Sequence, residues 1–280
     1  MTLLNIKNLS INITNNKKNF LAADGINITI NEGEIIALAG ESGSGKTMTA
    51  LSVLQLLPHA AKISGGEILF HTACGETVNL TSLDEKLMRK IRGKEISMIF
   101  QEPRQSLNPL MRIGSQIAEA LELHGTDKKT ARDEAMDILQ RLRFPQSEKI
   151  YRSWPHQLSG GMCQRVMIAI AAVCRPRLIL ADEPSSALDR ETLDHCLSLL
   201  KQINTEFGTA ILFITHDLSL AADFCNRMLV MYSGKIIEEG AADNILLSPS
   251  HPYTVALAGA IPSKKKRGRP LEVFSGVKNG

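Results

Sequence analysis

Gly40-Glu41-Ser42-Gly43-Ser44-Gly45-Lys46-Thr47 fills the pattern G-x-x-x-x-G-K-[ST] at every position. The apolar run Ile35-Ile36-Ala37-Leu38-Ala39 precedes it and reads as a buried strand. Residues 48–57 follow it and read as a helix ending near Pro58. Strand, glycine loop and helix in that order form the context a phosphate-binding loop requires. Glycines let successive backbone N–H groups turn inward toward phosphate oxygens. The helix N-terminus adds partial positive charge at the same place. In such a loop Lys46 reaches the β- and γ-phosphates, and the Thr47 hydroxyl binds Mg²⁺.

A second apolar run, Leu178-Ile179-Leu180-Ala181, ends in Asp182-Glu183-Pro184. Carboxylates at the C-terminal end of a parallel strand sit in the crevice where ligands bind. Asp182 is expected to hold Mg²⁺ through water, and Glu183 to orient or deprotonate an attacking water. A third run, residues 210–214, is followed by Thr215-His216-Asp217. Strands alternating with helices imply a parallel sheet covered on both faces.

Around this frame, residues 3–13 and 25–31 alternate as strands on either side of a polar turn at 14–19. Gly65-Gly66 reads as a turn before a strand at 67–70, residues 84–91 as a helix, and 95–100 as a strand. Strand patterns then vanish. Ala131, Ala135, Ile138, Leu139 and Leu142 form one helical face, and Ile113, Ile117 and Leu121 a shorter one. Residues 101–157 are therefore expected to be a helical subdomain inserted between two strands of the main sheet. Phe20 has two readings, a platform for an adenine base or a packed aromatic after a turn. His156, beside Pro155, is expected to pack or cap the loop before residue 158.

Composition sets outer bounds. The chain has 280 residues, 44% hydrophobic and 22% charged, with a net charge of +3. That is ordinary for a globular protein and offers no global attraction to nucleic acid. Aromatic residues at 4% leave little for base stacking. No signal-peptide pattern opens the sequence, and no apolar run approaches the roughly 20 residues of a membrane helix. Five cysteines, Cys74, Cys163, Cys174, Cys196 and Cys225, form no C-x-x-C pair. Reduced thiols are expected, with no zinc or iron–sulfur site. Lys264-Lys265-Lys266-Arg267 with Arg269 makes a basic tail over 263–280. A solvated tail is the expectation for it, ahead of a lipid or nucleic-acid contact.

Leu158-Ser159-Gly160-Gly161, with the loop at 40–47, Gln101, Asp182-Glu183, residues 186–189 and His216, resembles the ATP-binding subunit of an ABC transporter. The resemblance covers about residues 3–262. It implies a RecA-like P-loop NTPase α/β fold, with a parallel sheet, an antiparallel β subdomain and the helical insert at 101–157. It implies ATP and Mg²⁺ as cofactors. Ser159, Gly160 and Gly161 open a helix whose free N–H groups suit an anion. In the family that anion is the γ-phosphate of ATP bound to the other subunit, so two chains build two composite sites. By the same resemblance Gln101 senses Mg²⁺ and the membrane partner, Asp189 lies at the dimer interface, and His216 contacts the γ-phosphate.

Residues 101–110 (QEPRQSLNPL) and 248–254 (SPSHPYT) are similar to segments of the oligopeptide, dipeptide and nickel importers. That similarity implies two integral membrane permease subunits, a second ATP-binding subunit in a homodimer or heterodimer, and indirectly an extracytoplasmic solute-binding protein. It implies a peripheral location on the cytoplasmic face of the plasma membrane, with peptide or nickel as cargo and no nucleic acid as partner. Two departures stand out: no cysteine cluster follows residue 254, and Cys163 stands where the family often has Arg. A thiol cannot make the forked hydrogen bonds of a guanidinium. The alternative is a soluble ATPase of the same type acting on DNA or ribosomes. The long coiled coil, zinc modules or paired cassettes usual in such proteins are missing from the sequence.

Overall fold

The structure, a computed structural model, describes residues 1–15, 18–184 and 189–260. Residues 186–188 and the basic tail at 263–280 therefore lie outside the described residues.

The chain opens with a long antiparallel hairpin, β1 (Thr2–Asn15) and β2 (Lys18–Asn31). The expected strand at 3–13 falls within β1, while 25–31 marks only the second half of β2. Thr14 and Asn19 of the expected turn at 14–19 pair in the ladder instead. Within the hairpin the pairing shifts register between Ile6 and Leu9 and again between Leu9 and Asn12. Each shift exchanges the faces, so a strict period of two cannot survive it. Strand β3 (Ile35–Ala39) and helix α1 (Lys46–Val53) carry the glycine loop between them. Strand β4 (Ala61–His71) pairs with β1, and β5 (Thr77–Asn79) completes a four-stranded antiparallel sheet in the order β2-β1-β4-β5.

Gly65-Gly66 does not form the expected turn; it is an irregularity inside β4. Gly66 has φ +86°, and a Cβ there would sit 2.5 Å from the carbonyl oxygens of both Lys7 and Asn8. Glycine permits β1 to approach that closely, so the pair bends a strand rather than ending one.

Helix α2 (Glu85–Ile91) is capped by Asp84, which accepts from the Leu87 N–H at 2.8 Å. Strand β6 (Ile96–Ile99) leads into four helices, α3 (Pro103–Ser106), α4 (Ile113–Glu122), α5 (Lys128–Arg141) and α6 (Ser147–Arg152). Then come α7 (Gly160–Ala172), β7 (Leu178–Asp182), α8 (Arg190–Phe207), β8 (Ala210–Thr215) and α9 (Leu218–Phe224). The described chain closes with β9 (Arg227–Tyr232), β10 (Lys235–Ala241), α10 (Ala242–Leu247) and α11 (Pro252–Gly259).

The second sheet has the order β10-β9-β3-β8-β7-β6, parallel throughout except for the edge strand β10. Its strands are apolar because both faces are buried. Ile35, Ala37 and Ala39 of β3 face one apolar cluster with α4, α5, α7 and α8. Ile36 and Leu38 face another with the antiparallel sheet and α1. Each large aliphatic side chain buried in this way contributes about 1.5–3 kcal/mol. The predicted stripes of α4 and α5 belong to the first cluster: Ile113, Ile117, Ala131, Ala135, Ile138, Leu139 and Leu142 are all buried in it. The helical segment thus shares its core with the sheet. β3 lies between β9 and β8, so the loop leaving it opens beside the end of β8, with the ends of β7 and β6 next in order.

Candidate active site

Three glycines set the shape of the loop. Gly40 has φ +149°, and a Cβ there would lie 2.2 Å from the Met231 carbonyl oxygen. Gly45 has φ +108°, and a Cβ there would lie 2.0 Å from the Ala22 carbonyl oxygen, while Gly43 has φ +83°. No side chain caps α1, so its first N–H groups stay available to an anion. The turn between β9 and β10 pins the loop from behind, the Gly234 N–H donating to the Ser44 carbonyl at 3.0 Å. The Ser44 hydroxyl is buried with no hydrogen-bond partner among the described residues. An orphaned buried hydroxyl costs about 1–3 kcal/mol, and a phosphate oxygen would satisfy it.

Lys46 is buried and donates to the carbonyls of Gly40 and Glu41, both at 2.8 Å. Burial pulls its pKa down, and the carboxylates of Glu183, Asp182 and Glu41 partly restore it. The Thr47 hydroxyl donates to Asp182 Oδ1 at 3.1 Å. Asp182 is itself buried, which pushes its pKa up; Glu183 adds to that, while the Thr47 hydrogen bond and Lys46 oppose it.

Glu183 has φ +45°, in the left-handed region, and its N–H donates to the Ile214 carbonyl at 3.0 Å. That backbone turn aims the side chain at two neighbours. Gln101 Nε2 donates to its Oε2 at 3.2 Å, and His216 Nδ1 lies 3.4 Å from the same oxygen. Gln101, Glu183 and His216 follow β6, β7 and β8, so three adjacent parallel strands deliver them to one place.

A cleft of about 350 Å³ joins these groups to the loop. Ser42, Gly43, Gly45, Lys46 and Thr47 of the loop line it together with Gln101 and Glu183. Phe20, Leu21 and Ala22 of β2 also line it, with the Ala22 carbonyl close against Gly45. Phe20 is 51% exposed, so it is not a packed core aromatic. Leu21 and Ala22 are wall residues that the sequence did not single out, because an apolar strand residue looks the same beside a ligand as inside a core.

Ser159, Gly160, Gly161 and Asp189 do not line this cleft. Ser159 caps α7, accepting from the Met162 N–H at 3.3 Å. Asp189 caps α8, accepting from the N–H and hydroxyl of Thr192, each at 2.9 Å, and these bonds hold its carboxyl below the usual range. A Cβ on Gly161 would meet Thr192 Cγ2 at 2.4 Å. Gly161 and Asp189 thus meet at one residue, on helix starts outside the cleft.

Cys163 is buried, donating to the Pro155 carbonyl at 3.7 Å, and burial raises its thiol pKa. It is a packing residue in an unreactive setting. Cys196 and Cys225 are buried, with thiols pushed up to about 11 and about 12. His156 does not pack or cap as expected. It is exposed; Pro155 and Leu158 are the buried neighbours, and Gln157 Oε1 accepts from the Trp154 N–H at 2.8 Å.

The oxygen donors gathered here fit Mg²⁺: the Thr47 hydroxyl, the Asp182 carboxylate and the Gln101 side-chain amide are hard ligands. Among the described residues no group of three His, Cys, Asp or Glu side chains could hold a metal by itself. A Mg²⁺ held by one or two protein oxygens and completed by phosphate and water suits that chemistry.

The ABC transporter family model matches residues 23–186. The oligopeptide transport ATP-binding protein AppD of Bacillus subtilis is 46% identical over 262 residues, 93% of this chain and 79% of that protein. The dipeptide transport ATP-binding protein DppD of Haemophilus influenzae is 40% identical over 281 residues, 100% of this chain and 84% of that one. A dimeric structure of the ATP-binding cassette MJ0796, in a post-hydrolysis state bound to ADP and Pi, superposes with a TM-score of 0.75 at 28% identity, covering 86% of this chain and 99% of that one. The chain belongs to the ABC transporter family.

Proposed function

We propose that this chain, as a member of that family, is the ATP-hydrolysing subunit that powers a membrane importer of peptides. The observation that carries the reading is the single cleft shared by Lys46, Thr47, Gln101 and Glu183, with Asp182 against Thr47 and His216 against Glu183. Peptide is preferred to nickel as cargo because the relatives AppD and DppD are named for oligopeptide and dipeptide transport. No helix among the described residues is long and apolar enough to cross a membrane. Transport therefore requires partners that do, and we assign the contact with two permease subunits to the helical segment at 101–157. On this reading the chain sits at the cytoplasmic face of the membrane, and a solute-binding protein delivers cargo from the other side.

The phosphates of ATP lie along the loop, and the Ser44 hydroxyl and the N–H groups opening α1 receive them. Lys46 exchanges its two carbonyl partners for phosphate oxygens. Thr47, Asp182 and Gln101 would hold Mg²⁺, which would supply charge neutralisation at those oxygens when bound. Glu183 accepts the proton of the attacking water. Gln101 and His216 keep its carboxylate oriented, and His216 reaches the γ-phosphate. Phe20 offers its exposed face to the adenine. Ser159, Gly160 and Gly161 lie outside their own chain's cleft, so they serve the site of a second subunit, with Asp189 beside them at the shared interface.

The test is ATP turnover by the chain reconstituted with its permease subunits in proteoliposomes. Turnover stimulated by peptide and its binding protein supports the reading. Turnover that peptide leaves unchanged but DNA or ribosomes stimulate would replace it with the soluble-ATPase alternative.

A further inference from the structure

The peptide unit joining Gly40 to Glu41 is gripped from both sides. Its carbonyl, that of Gly40, accepts from the Lys46 ammonium at 2.8 Å. Its N–H, that of Glu41, donates to the Tyr253 hydroxyl at 3.0 Å. Tyr253 lies 212 residues away and is 1% exposed. A peptide beginning at a glycine rotates at little cost, because no Cβ restricts it. Left alone, this one could turn its carbonyl away from Lys46.

Tyr253 is itself held. Its ring packs on Tyr232, centroids 4.3 Å apart, and Tyr232 ends β9, the strand paired with β3. Its N–H donates to His251 Nδ1 at 3.2 Å, which caps α11. The Glu238 carboxylate of β10 accepts from the N–H groups of Ser250 at 2.6 Å and His251 at 3.1 Å. An anchor therefore runs from β10 through the turn at 250–251 into α11 and on to the loop. Residues 248–254, which the proposed mechanism leaves without a task, supply its last links.

We propose that Tyr253 is a positioning residue for the nucleotide site, its hydroxyl fixing the peptide between Gly40 and Glu41 so that Lys46 is held ready for the phosphates. The inference rests on the assignment of this cleft to ATP. It makes the C-terminal segment part of the loop's support, although no residue of that segment lines the cleft.

The test is Tyr253→Phe, which keeps the ring on Tyr232 and removes only the oxygen. Losing one such hydrogen bond should weaken Mg–ATP binding about three- to tenfold. Tm should move by no more than about 2–4 °C. Glu41 amide hydrogen exchange should accelerate about tenfold, while the amides of β3 stay at the parental rate, a pattern that general destabilisation would not produce. KM for ATP should rise more than kcat falls. A variant with parental ATP affinity and parental exchange at Glu41 would sink the positioning role and leave the ATP assignment standing. A parental chain that binds no Mg–ATP would overturn that assignment and this inference with it.

Discussion

The Thr47 hydroxyl donates to Asp182 Oδ1 at 3.1 Å, joining the first turn of α1 to the end of β7 across 135 residues. On the proposed reading the contact would pre-assemble two oxygen donors for a hard cation, and its hydrogen bond favours the charged form of a buried carboxylate. Asp182→Asn keeps an acceptor for Thr47 and removes the charge. Turnover at fixed Mg²⁺ should fall roughly 10²-fold or more, and the Mg²⁺ concentration for half-maximal activity should rise. A titration curve that overlays the parental one would remove Asp182 from the metal site.

Lys46→Ala should abolish productive ATP binding or hydrolysis and spare the fold. The side chain's hydrogen-bond partners are two loop carbonyls, and its burial already disfavours its charge. Circular dichroism and an ATPase assay on the same sample check this. Near-parental turnover would take the loop out of the mechanism.

Glu183→Gln keeps size and an acceptor facing Gln101 but removes basicity. ATP binding should survive, since Lys46, Thr47 and the loop N–H groups are untouched. The chemical step should slow by roughly 10²-fold or more. ATP-bound dimers should then accumulate on size-exclusion chromatography with Mg–ATP and disappear with ADP, the partner ATPase being supplied if the pair is heteromeric. Parental turnover by this variant would show that another group accepts the proton.

Leu110 is 82% exposed in the stretch after Gln101, in the segment assigned to the permease contact. Leu110→Asp should leave the unfolding free energy unchanged to within the effect of a surface substitution, about 0.5 kcal/mol. It should leave ATP affinity intact and uncouple hydrolysis from transport in proteoliposomes. Cross-links to the permease that map only to residues 210–260 would contradict the assignment.

Glu34 accepts from Arg227 Nε at 2.7 Å and from the Asn31 N–H at 2.8 Å, while Arg227 also reaches Glu239 and the Thr29 carbonyl. Burial raises the Glu34 pKa, but those hydrogen bonds and the Arg227 charge outweigh it, and the net shift is downward. Its stabilisation is therefore complete above the unfolded value of roughly 4.3 and is lost as pH falls through the lower folded value. Glu34→Gln should cost about 1–3 kcal/mol at neutral pH and flatten the acid limb of the stability curve. Urea unfolding of both proteins at pH 7 and near pH 3 measures it, and an equal deficit at both would show that the charge is not the cause.

The sequence by itself determined whatever depends on neighbours along the chain. The glycines at 40, 43 and 45, the apolar strands on either side of the site and the helical faces at 113–121 and 131–142 were legible because backbone freedom and periodicity are local. So was the placing of Lys46 and Thr47 at the start of a helix and of Asp182 and Glu183 at the end of a strand. Only the tertiary structure decided that Glu183 faces both Gln101 and His216, that Phe20 stands on the cleft wall, that Gly65-Gly66 bends a strand instead of ending it, and that Tyr253 holds the loop. Strand order and register settle those contacts. β6, β7 and β8 are neighbours and β3 lies between β8 and β9 because the sheet packs so, and no pattern within one segment records which strand end will lie beside it.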